Sequence, residues 1–241
     1  MAAFQLLEVV WQHINAISAI AELRPYGSHI ESALVLCRVA FEACVTACWL
    51  ATPDNWMERE AKWVRWVQGE ETNLKRLATA ASPFNIVLAE ASTARANAHG
   101  ERRSEIAKRL VQEFVKAGVS ESLAQEKVHK KPNPSFKQIL QESGLGEDGY
   151  LRYMVMSDSI HVAPSVASSS VRIESNSVTP YLARSPSEWT GLFEHASCCI
   201  CQATAIVLPL CGATEESIEE MLRFHRILYT SAAALRNAYR I

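Results

Sequence analysis

Two small sets of polar side chains have types and spacing that could do chemistry. Arg38 and Glu42 are four residues apart inside the apolar run 33–51, so a helix places both on one face. Charges that leave water need a partner or hydrogen bonds. A guanidinium beside a carboxylate in such a segment therefore predicts either a structural ion pair that fixes helix register or the polar floor of a site.

The second set lies in residues 150–165. At about 100° per residue, Tyr150, Ser157 and His161 share one helical face, and Asp158 is one turn before His161. An imidazole in this setting is suited to general acid–base catalysis, because its ordinary pKa is near neutrality. The alternative interpretation is a core histidine that donates to a backbone carbonyl.

The order of these residues resembles a bacterial family of helical proteins that has no assigned activity. The family pattern is an Arg-x-x-x-Glu helix that ends in a Trp, an Arg one helix later, and a Tyr followed by Ser-Asp-x-x-His. The resemblance implies a shared fold and a shared polar site. The residues that match the pattern are Arg38, Glu42, Trp49, Arg59, Tyr150 or Tyr153, Ser157, Asp158 and His161.

That family is in turn similar to HEPN-like helical domains, many of which are ribonucleases or components of toxin and defence systems. The resemblance implies RNA as a substrate and an antitoxin or defence-system protein as a partner. HEPN nucleases carry an Arg and a His separated by four to six residues on one helix. Arg152 and His161 are nine positions apart, which at about 100° per residue puts them on opposite faces. An Arg that serves His161 would therefore come from another helix, with Arg38 or Arg59 as the candidates.

Three hypotheses for function follow. The first is a metal-independent ribonuclease in which His161 transfers protons and Arg38 or Arg59 stabilises charge on the phosphorane. The second is a non-enzymatic helical module that binds a protein or senses a small ligand. The third is a metal-dependent helical-bundle enzyme, because Asp158 and His161 have the i, i+3 spacing of ligands in such bundles.

The chain has seven cysteines, most of them inside two apolar segments. Cysteines in that setting are typical of small core residues in a reducing compartment. Cys198, Cys201 and His195 have zinc-ligand spacing, but structural zinc fingers place such ligands in loops. We therefore expect neither a metal nor a cofactor. The first residues show no signal-peptide pattern, and we expect a cytoplasmic protein.

A membrane-spanning segment is disfavoured although the run 33–51 approaches the necessary length. Arg38 and Glu42 lie near its middle, where a charge costs about 2.5–3.5 kcal/mol on insertion scales. We expect a buried core helix instead, and no membrane partner.

Charge and motif content exclude several classes of function. The 24 basic and 26 acidic residues leave a net charge of −2, whereas proteins that bind duplex nucleic acid nonspecifically usually have a basic excess. A local groove for RNA remains compatible with this balance. The sequence contains no Gly-x-x-x-x-Gly-Lys-Ser/Thr loop and no Gly-x-Ser-x-Gly elbow, so P-loop nucleotide hydrolysis and the serine-hydrolase elbow are excluded.

Helices must position the candidate residues. The predicted fold class is all-α, a multi-helix bundle around a buried central helix at 28–51, because that segment is apolar nearly all round. The Ser- and Pro-rich segment 163–187 is predicted to be a long irregular loop that holds a small β-hairpin around 171–178. The chain is predicted to form one helical domain, 1–241, with a peripheral helical insertion at about 100–145.

Local signals predict several helix boundaries. Asp54 is a candidate N-cap, and Ser135 with Gln138 forms a capping box. Ser82-Pro83 predicts a helix start, and Gly100 could break the helix that follows. Tryptophans on the third helix recur at near-helical spacing and are predicted to pack in the core or at a homodimer interface.

Overall fold

Helices make up most of the described structure, which confirms the all-α prediction. The computed structural model describes residues 2–21, 30–129, 134–143, 149–150, 153–154, 171–174, 177–180 and 186–223. The helices are α1 (Ala2–Ala21), α2 (Ile30–Ala51), α3 (Trp56–Ala81), α4 (Ile86–Lys116), α5 (Glu121–His129), α6 (Phe136–Glu142) and α7 (Pro186–Val207). A 3₁₀ turn, Leu208–Cys211, follows α7, and another helix occupies 215–223.

The chain divides into two compact units. The first comprises Met1–Ala51 with Ile139–Ile241, and the second is the continuous stretch Thr52–Gln138. Helices α1, α2 and α7 belong to the first unit, and α3, α4 and α5 to the second. The single domain with a peripheral insertion at about 100–145 stays a prediction. The second unit found here starts well before residue 100.

Helix α2 is the central element of the first unit. It packs against both α1 and α7, and Val45 and Trp49 on it are fully buried. Val10 and Ile17 of α1 and Ile200 of α7 are also fully buried. A helix that is apolar nearly all round needs neighbours on more than one side, and the described part of the predicted central helix meets this requirement.

Helices α2 and α7 run parallel to each other. The ring of Phe41 lies 4.9 Å from the ring of His195, and the thiol of Cys44 donates to the carbonyl oxygen of Cys199. Residue numbers thus increase in the same direction along both helices. Parallel neighbours require a long connection, and here the intervening chain includes the whole second unit.

Two described segments, Ser32–Ala51 and Thr190–Cys211, are long and apolar enough to cross a membrane by length and composition. The core helix of a soluble protein passes the same test. In this structure 61% of the first and 50% of the second is buried by protein. The expectation of a cytoplasmic protein without a membrane partner stays a prediction.

Helices α3 and α4 form an antiparallel pair in the second unit, and α5 packs against both. The pairing is antiparallel because Glu71 of α3 contacts Arg103 of α4, while residues nearer the start of α3 share a core with residues nearer the end of α4. That core consists of Ala61, Val64, Ala107, Leu110, Val111, Phe114, Ala124 and Val128.

Side-chain caps begin α3 and α6. The Asn55 side chain accepts from the backbone N–H of Met57 at 2.8 Å, so Asn55 is the N-cap of α3 and the prediction of Asp54 is wrong by one residue. The capping box of Ser135 and Gln138 is confirmed: the Ser135 backbone N–H donates to Gln138 Oε1 at 2.8 Å, and the Gln138 backbone N–H donates to Ser135 Oγ at 3.3 Å.

The boundary between α3 and α4 differs from the prediction of a helix start at Ser82-Pro83. The Ser82 backbone N–H donates to the Ala78 carbonyl, so Ser82 caps the C-terminus of α3. Helix α4 begins after Asn85, whose side chain accepts from the Leu88 backbone N–H at 3.0 Å. It then continues through Gly100 without a break.

The predicted β-hairpin is present in the part of 163–187 that the structure describes. Strand β1 (Val171–Glu174) pairs antiparallel with strand β2 (Ser177–Pro180). Arg172 lies opposite Thr179 in this register. The remainder of the predicted irregular loop, apart from its last residues in α7, lies outside the described residues.

Candidate functional site

Arg38 and Glu42 form the ion pair that their spacing predicts. Arg38 Nε donates to Glu42 Oε1 at 2.9 Å. The Arg38 side chain is 14% exposed and that of Glu42 is 39% exposed. The guanidinium is thus mostly enclosed by protein, and the carboxylate that neutralises it faces solvent in part.

Tyr153 is the second partner of Arg38. Arg38 Nη2 donates to the Tyr153 hydroxyl at 2.9 Å, and the guanidinium carbon lies 4.8 Å from the centre of the Tyr153 ring. This distance is within the range of a cation–π interaction. The contact joins α2 to the short described segment at 153–154, across 115 positions of sequence.

These contacts set the ionisation of Arg38. Burial lowers the pKa of Arg38, but the hydrogen bond and charge of Glu42 and the contact with Tyr153 outweigh burial, so the net shift of the pKa is upward. Arg38 therefore carries a permanent positive charge in the folded protein. Its Nη1 has no hydrogen-bond partner among the described residues.

Tyr153 stacks on a neighbouring tyrosine, and the chain just before the two rings passes close to α6. The Tyr150 and Tyr153 rings stack with their centres 6.2 Å apart. Just before them, a Cβ at position 149 would lie 3.1 Å from Leu140 Cδ2 and 3.5 Å from Phe41 Cζ. A glycine at position 149 therefore lets the chain come close to Leu140 of α6 immediately before the two tyrosines, while the Phe41 ring of α2 is at an ordinary contact distance.

The other end of α2 is tied to α6. Trp49 is fully buried, and its indole N–H donates to Glu142 Oε2 at 2.7 Å. A buried indole needs an acceptor for its single donor. The tryptophan that ends the helix in the family pattern thus has a structural role here, since it fixes α6 beside α2.

A cluster of thiols lies between α2 and α7. Cys44 Sγ donates to the Cys199 carbonyl at 3.1 Å, and Cys199 Sγ lies 3.8 Å from His195 Nε2. Burial raises the pKa of Cys37 to about 12. The hydrogen bond with Cys199 chiefly raises the pKa of Cys44, and burial adds to it. These thiols are protonated and unreactive at neutral pH.

The zinc alternative receives no support from these contacts. Within the parts of the chain that the structure describes, no group of three or more His, Cys, Asp or Glu side chains could hold a metal ion. His195 contacts the Phe41 ring and Cys199. The metal alternative built on Asp158 and His161 involves residues outside the described ranges.

The candidate residues fall into three groups. Arg38 and Glu42 are in contact, as predicted, and the tyrosine that contacts Arg38 is Tyr153, which the family pattern offered beside Tyr150. Arg59 lies in the second unit, where its Nη1 donates to the carbonyls of Pro53 at 2.7 Å and Asp54 at 2.9 Å. Its catalytic role stays a prediction. Outside the described residues lie Ser157, Asp158 and His161.

Comparison with known proteins yields no relative. No family model, curated protein or solved structure matches the chain. The HEPN-like and bacterial assignments therefore stay predictions from the residues quoted above.

The arrangement around Arg38 has a definite chemical capacity. A guanidinium held by Glu42 and Tyr153 is fixed in orientation, and Nη1 can still donate to an oxyanion. Phosphate and carboxylate are the anions whose geometry suits a guanidinium best. The described part of the site is therefore a guanidinium with one nitrogen, Nη1, that is able to donate to an anion, and with a carboxylate and a phenol beside it.

Proposed function

We propose that the protein is a metal-independent ribonuclease whose site includes Arg38, Glu42 and Tyr153. The observation that carries this proposal is the hydrogen bond from Arg38 to Tyr153. It joins the charged face of α2 to the segment that leads, four residues later, into Ser157, Asp158 and His161. These are the residues that the family resemblance assigns to a common site.

The proposed reaction is transesterification at an RNA phosphodiester. The 2′-oxygen attacks phosphorus and the bond to the 5′-oxygen breaks, which leaves a 2′,3′-cyclic phosphate and a free 5′-hydroxyl. His161 removes the 2′-hydroxyl proton or protonates the 5′-oxygen. Arg38 stabilises the negative charge on the phosphorane, because Nη1 can donate to a non-bridging oxygen. Glu42 and Tyr153 are positioning residues for Arg38.

A second candidate function is a non-enzymatic helical module that binds a protein or a small anionic ligand. One observation favours it: two of the three guanidinium nitrogens of Arg38 already donate to protein oxygens, and Glu42 neutralises the charge. A guanidinium so engaged attracts a polyanion more weakly than a free one. In this case the cluster fixes the position of Tyr153 on α2.

The test is cleavage of a labelled single-stranded RNA in EDTA. We expect wild-type protein to give products with a 2′,3′-cyclic phosphate, and His161→Ala to give none. We expect Arg38→Lys to slow cleavage about 10²-fold, as for loss of one oxyanion donor. The matched control is Arg109→Lys, because Arg109 is an exposed residue of α4 in the second unit.

The outcomes separate the candidates. Equal absence of cleavage in wild type and His161→Ala, with native circular dichroism, rejects the ribonuclease and leaves the binding module. Cleavage that appears only with added divalent metal supports the metal-dependent alternative instead.

As part of the same proposal, a ribonuclease of a toxin or defence system would act in the cytoplasm and bind an antitoxin or defence protein. Co-purification from the native host would test this partner.

A further inference from the structure

The turn between α3 and α4 carries an exposed apolar surface that the proposed function does not use. We call residues 77–90 the hairpin tip. Large apolar side chains in it are exposed to solvent: Leu77 45%, Phe84 90%, Ile86 59%, Val87 72% and Leu88 42%. Single exposed apolar residues are common, but a cluster of this kind marks an interaction surface.

Charge is missing from most of the same stretch. From Leu77 to Ala89 the sequence has no acidic or basic residue, although helices on a protein surface normally have a charged outer face. Beyond this stretch, charged residues resume with Arg76 on α3 and Glu90 on α4. The hairpin tip therefore has the amino-acid composition of a buried surface although it is exposed to solvent.

A groove runs along the hairpin tip between the two helices. Its volume is about 880 Å³, and its lining includes the small residues Ala78, Thr79, Ala89 and Ala94, together with Ile86. Small side chains allow a second helix to approach closely, because the distance between helix axes depends on the side chains at the contact. The large apolar residues Phe84, Val87 and Leu88 are close in sequence to the residues that line the groove.

We propose that the hairpin tip of a second copy of this chain occupies the groove, which gives a symmetric dimer. A two-fold interface uses one surface twice, so it needs projections and a recess on the same surface. The hairpin tip has both. Two helical hairpins packed in this way form a four-helix bundle, an arrangement that buries the inner faces of all four helices.

The charges at the groove suit an antiparallel two-fold arrangement. Lys75 lies one helical turn before the groove-lining Ala78 on α3; its Nζ donates to Glu71 and its side chain is 60% exposed, while Glu90 lines the groove from α4. At 1.5 Å per residue, Lys75 lies about 12 Å and Glu90 about 8 Å from the turn. A two-fold axis about 10 Å from the turn therefore sets Glu90 of one copy opposite Lys75 of the other, twice in the dimer.

A second copy fits this surface better than a membrane does. A lipid surface is recognised by apolar side chains together with a cluster of basic residues that attracts anionic headgroups, whereas only Lys75 and Arg76 adjoin the uncharged stretch from Leu77 to Ala89. A bilayer would also leave the groove unfilled. Binding of the hairpin tip to a lipid membrane would therefore contradict the proposal, and a flotation assay measures it.

The experiment is sedimentation equilibrium of the full chain over a concentration series. We expect a monomer–dimer equilibrium in wild type, and at least a tenfold weaker dimer for Val87→Glu, because a charge would be placed inside an apolar interface. The control is Val115→Glu, at an exposed position of α4 far from the turn, which should leave the dimer unchanged. A wild-type chain that stays monomeric at all concentrations overturns the proposal.

A charge reversal tests the two-fold arrangement itself. Glu90→Lys should weaken the dimer by about tenfold, since it creates a like-charge contact with Lys75 of the other copy, and in a Lys75→Gln background, where Glu71 keeps its pairing with Arg103, the same change should weaken it by less than about threefold. A dimer that is insensitive to both Val87→Glu and Glu90→Lys does not use the hairpin tip. Flotation of the monomer with phosphatidylserine vesicles, lost in Val87→Glu, would assign the surface to a membrane instead.

Discussion

Arg38 of α2 and Tyr153, 115 residues apart in sequence, are joined by a 2.9 Å hydrogen bond and by stacking of the guanidinium over the phenol ring. We expect a double-mutant cycle with Arg38→Met and Tyr153→Phe to give a coupling energy of about 1 kcal/mol in urea denaturation. The control cycle combines Arg38→Met with Thr204→Val, near the other end of the parallel α2–α7 pair, and should be additive. No coupling between Arg38 and Tyr153 would contradict the contact.

Thr204 offers a stabilising substitution in α7. It is fully buried, and its hydroxyl has no hydrogen-bond partner in the described part of the chain. An unpaired buried hydroxyl costs about 1 kcal/mol or more, and valine has nearly the same shape. We expect Thr204→Val to raise the free energy of unfolding by about 1 kcal/mol. The control is Thr46→Val, which removes a 2.8 Å bond to the Glu42 carbonyl and should not stabilise.

Glu71 makes the second unit sensitive to acid. Its carboxylate accepts from Lys75 at 2.6 Å and from Arg103 at 3.1 Å. The hydrogen bond from Lys75 is the main cause that lowers the pKa of Glu71 below its ordinary 4.5, and Arg103 adds to it although burial opposes it. A pKa lowered by folding stabilises the protein above the ordinary value, and this stabilisation is lost as pH falls through the folded-state pKa.

We therefore expect Glu71→Gln to cost about 2 kcal/mol at neutral pH. The difference from wild type should shrink as pH falls below 4.5 and through the lowered pKa of Glu71, because first the unfolded and then the native carboxyl becomes protonated. Urea denaturation at several pH values measures this. Glu113→Gln is the control, since Glu113 pairs only with exposed Lys116 in the described structure, and surface pairs contribute little. A difference that is independent of pH would contradict the assignment.

The thiols should differ sharply in reactivity. Cys211 is exposed, whereas Cys37, Cys44 and Cys199 are buried and have raised pKa values. Since only thiolates are alkylated rapidly, iodoacetamide at neutral pH should modify Cys211 first and should leave the three buried thiols intact until urea is added. Peptide mass spectrometry measures the order in which the cysteines are alkylated. Early modification of Cys44 would show that α7 separates from α2 in the native state.

Helix positions were largely predictable because they depend on local signals. The apolar run of α2 and the capping box at Ser135 both depend on residues within one or two turns of each other. The wrong start at Ser82-Pro83 shows the limit of such signals. Ser82 and Asn85 are both candidate N-caps within four residues, and Asn85 caps α4 because Ser82 is the C-cap of α3.

Contacts between distant parts of the chain were less predictable. The spacing of Arg38 and Glu42 predicted their pairing, but helical periodicity favoured Tyr150, and only the family pattern also offered Tyr153. The role of Gly100 had no local signal at all. A Cβ there would lie 3.3 Å from Glu71 Oε1, so the glycine makes room for a carboxylate that is 29 positions away in sequence.

The parallel arrangement of α2 and α7 has a consequence for synthesis on the ribosome. The second unit is a continuous stretch and can be completed early, whereas α2 must wait for α7. At roughly 5–20 residues per second, the chain between Ala51 and Pro186 takes on the order of ten seconds to emerge. During that interval the apolar side of α2 that α7 later covers is open to chaperones and to other nascent chains. Yield in cells should therefore depend on translation speed and chaperone supply as well as on the final stability of the protein.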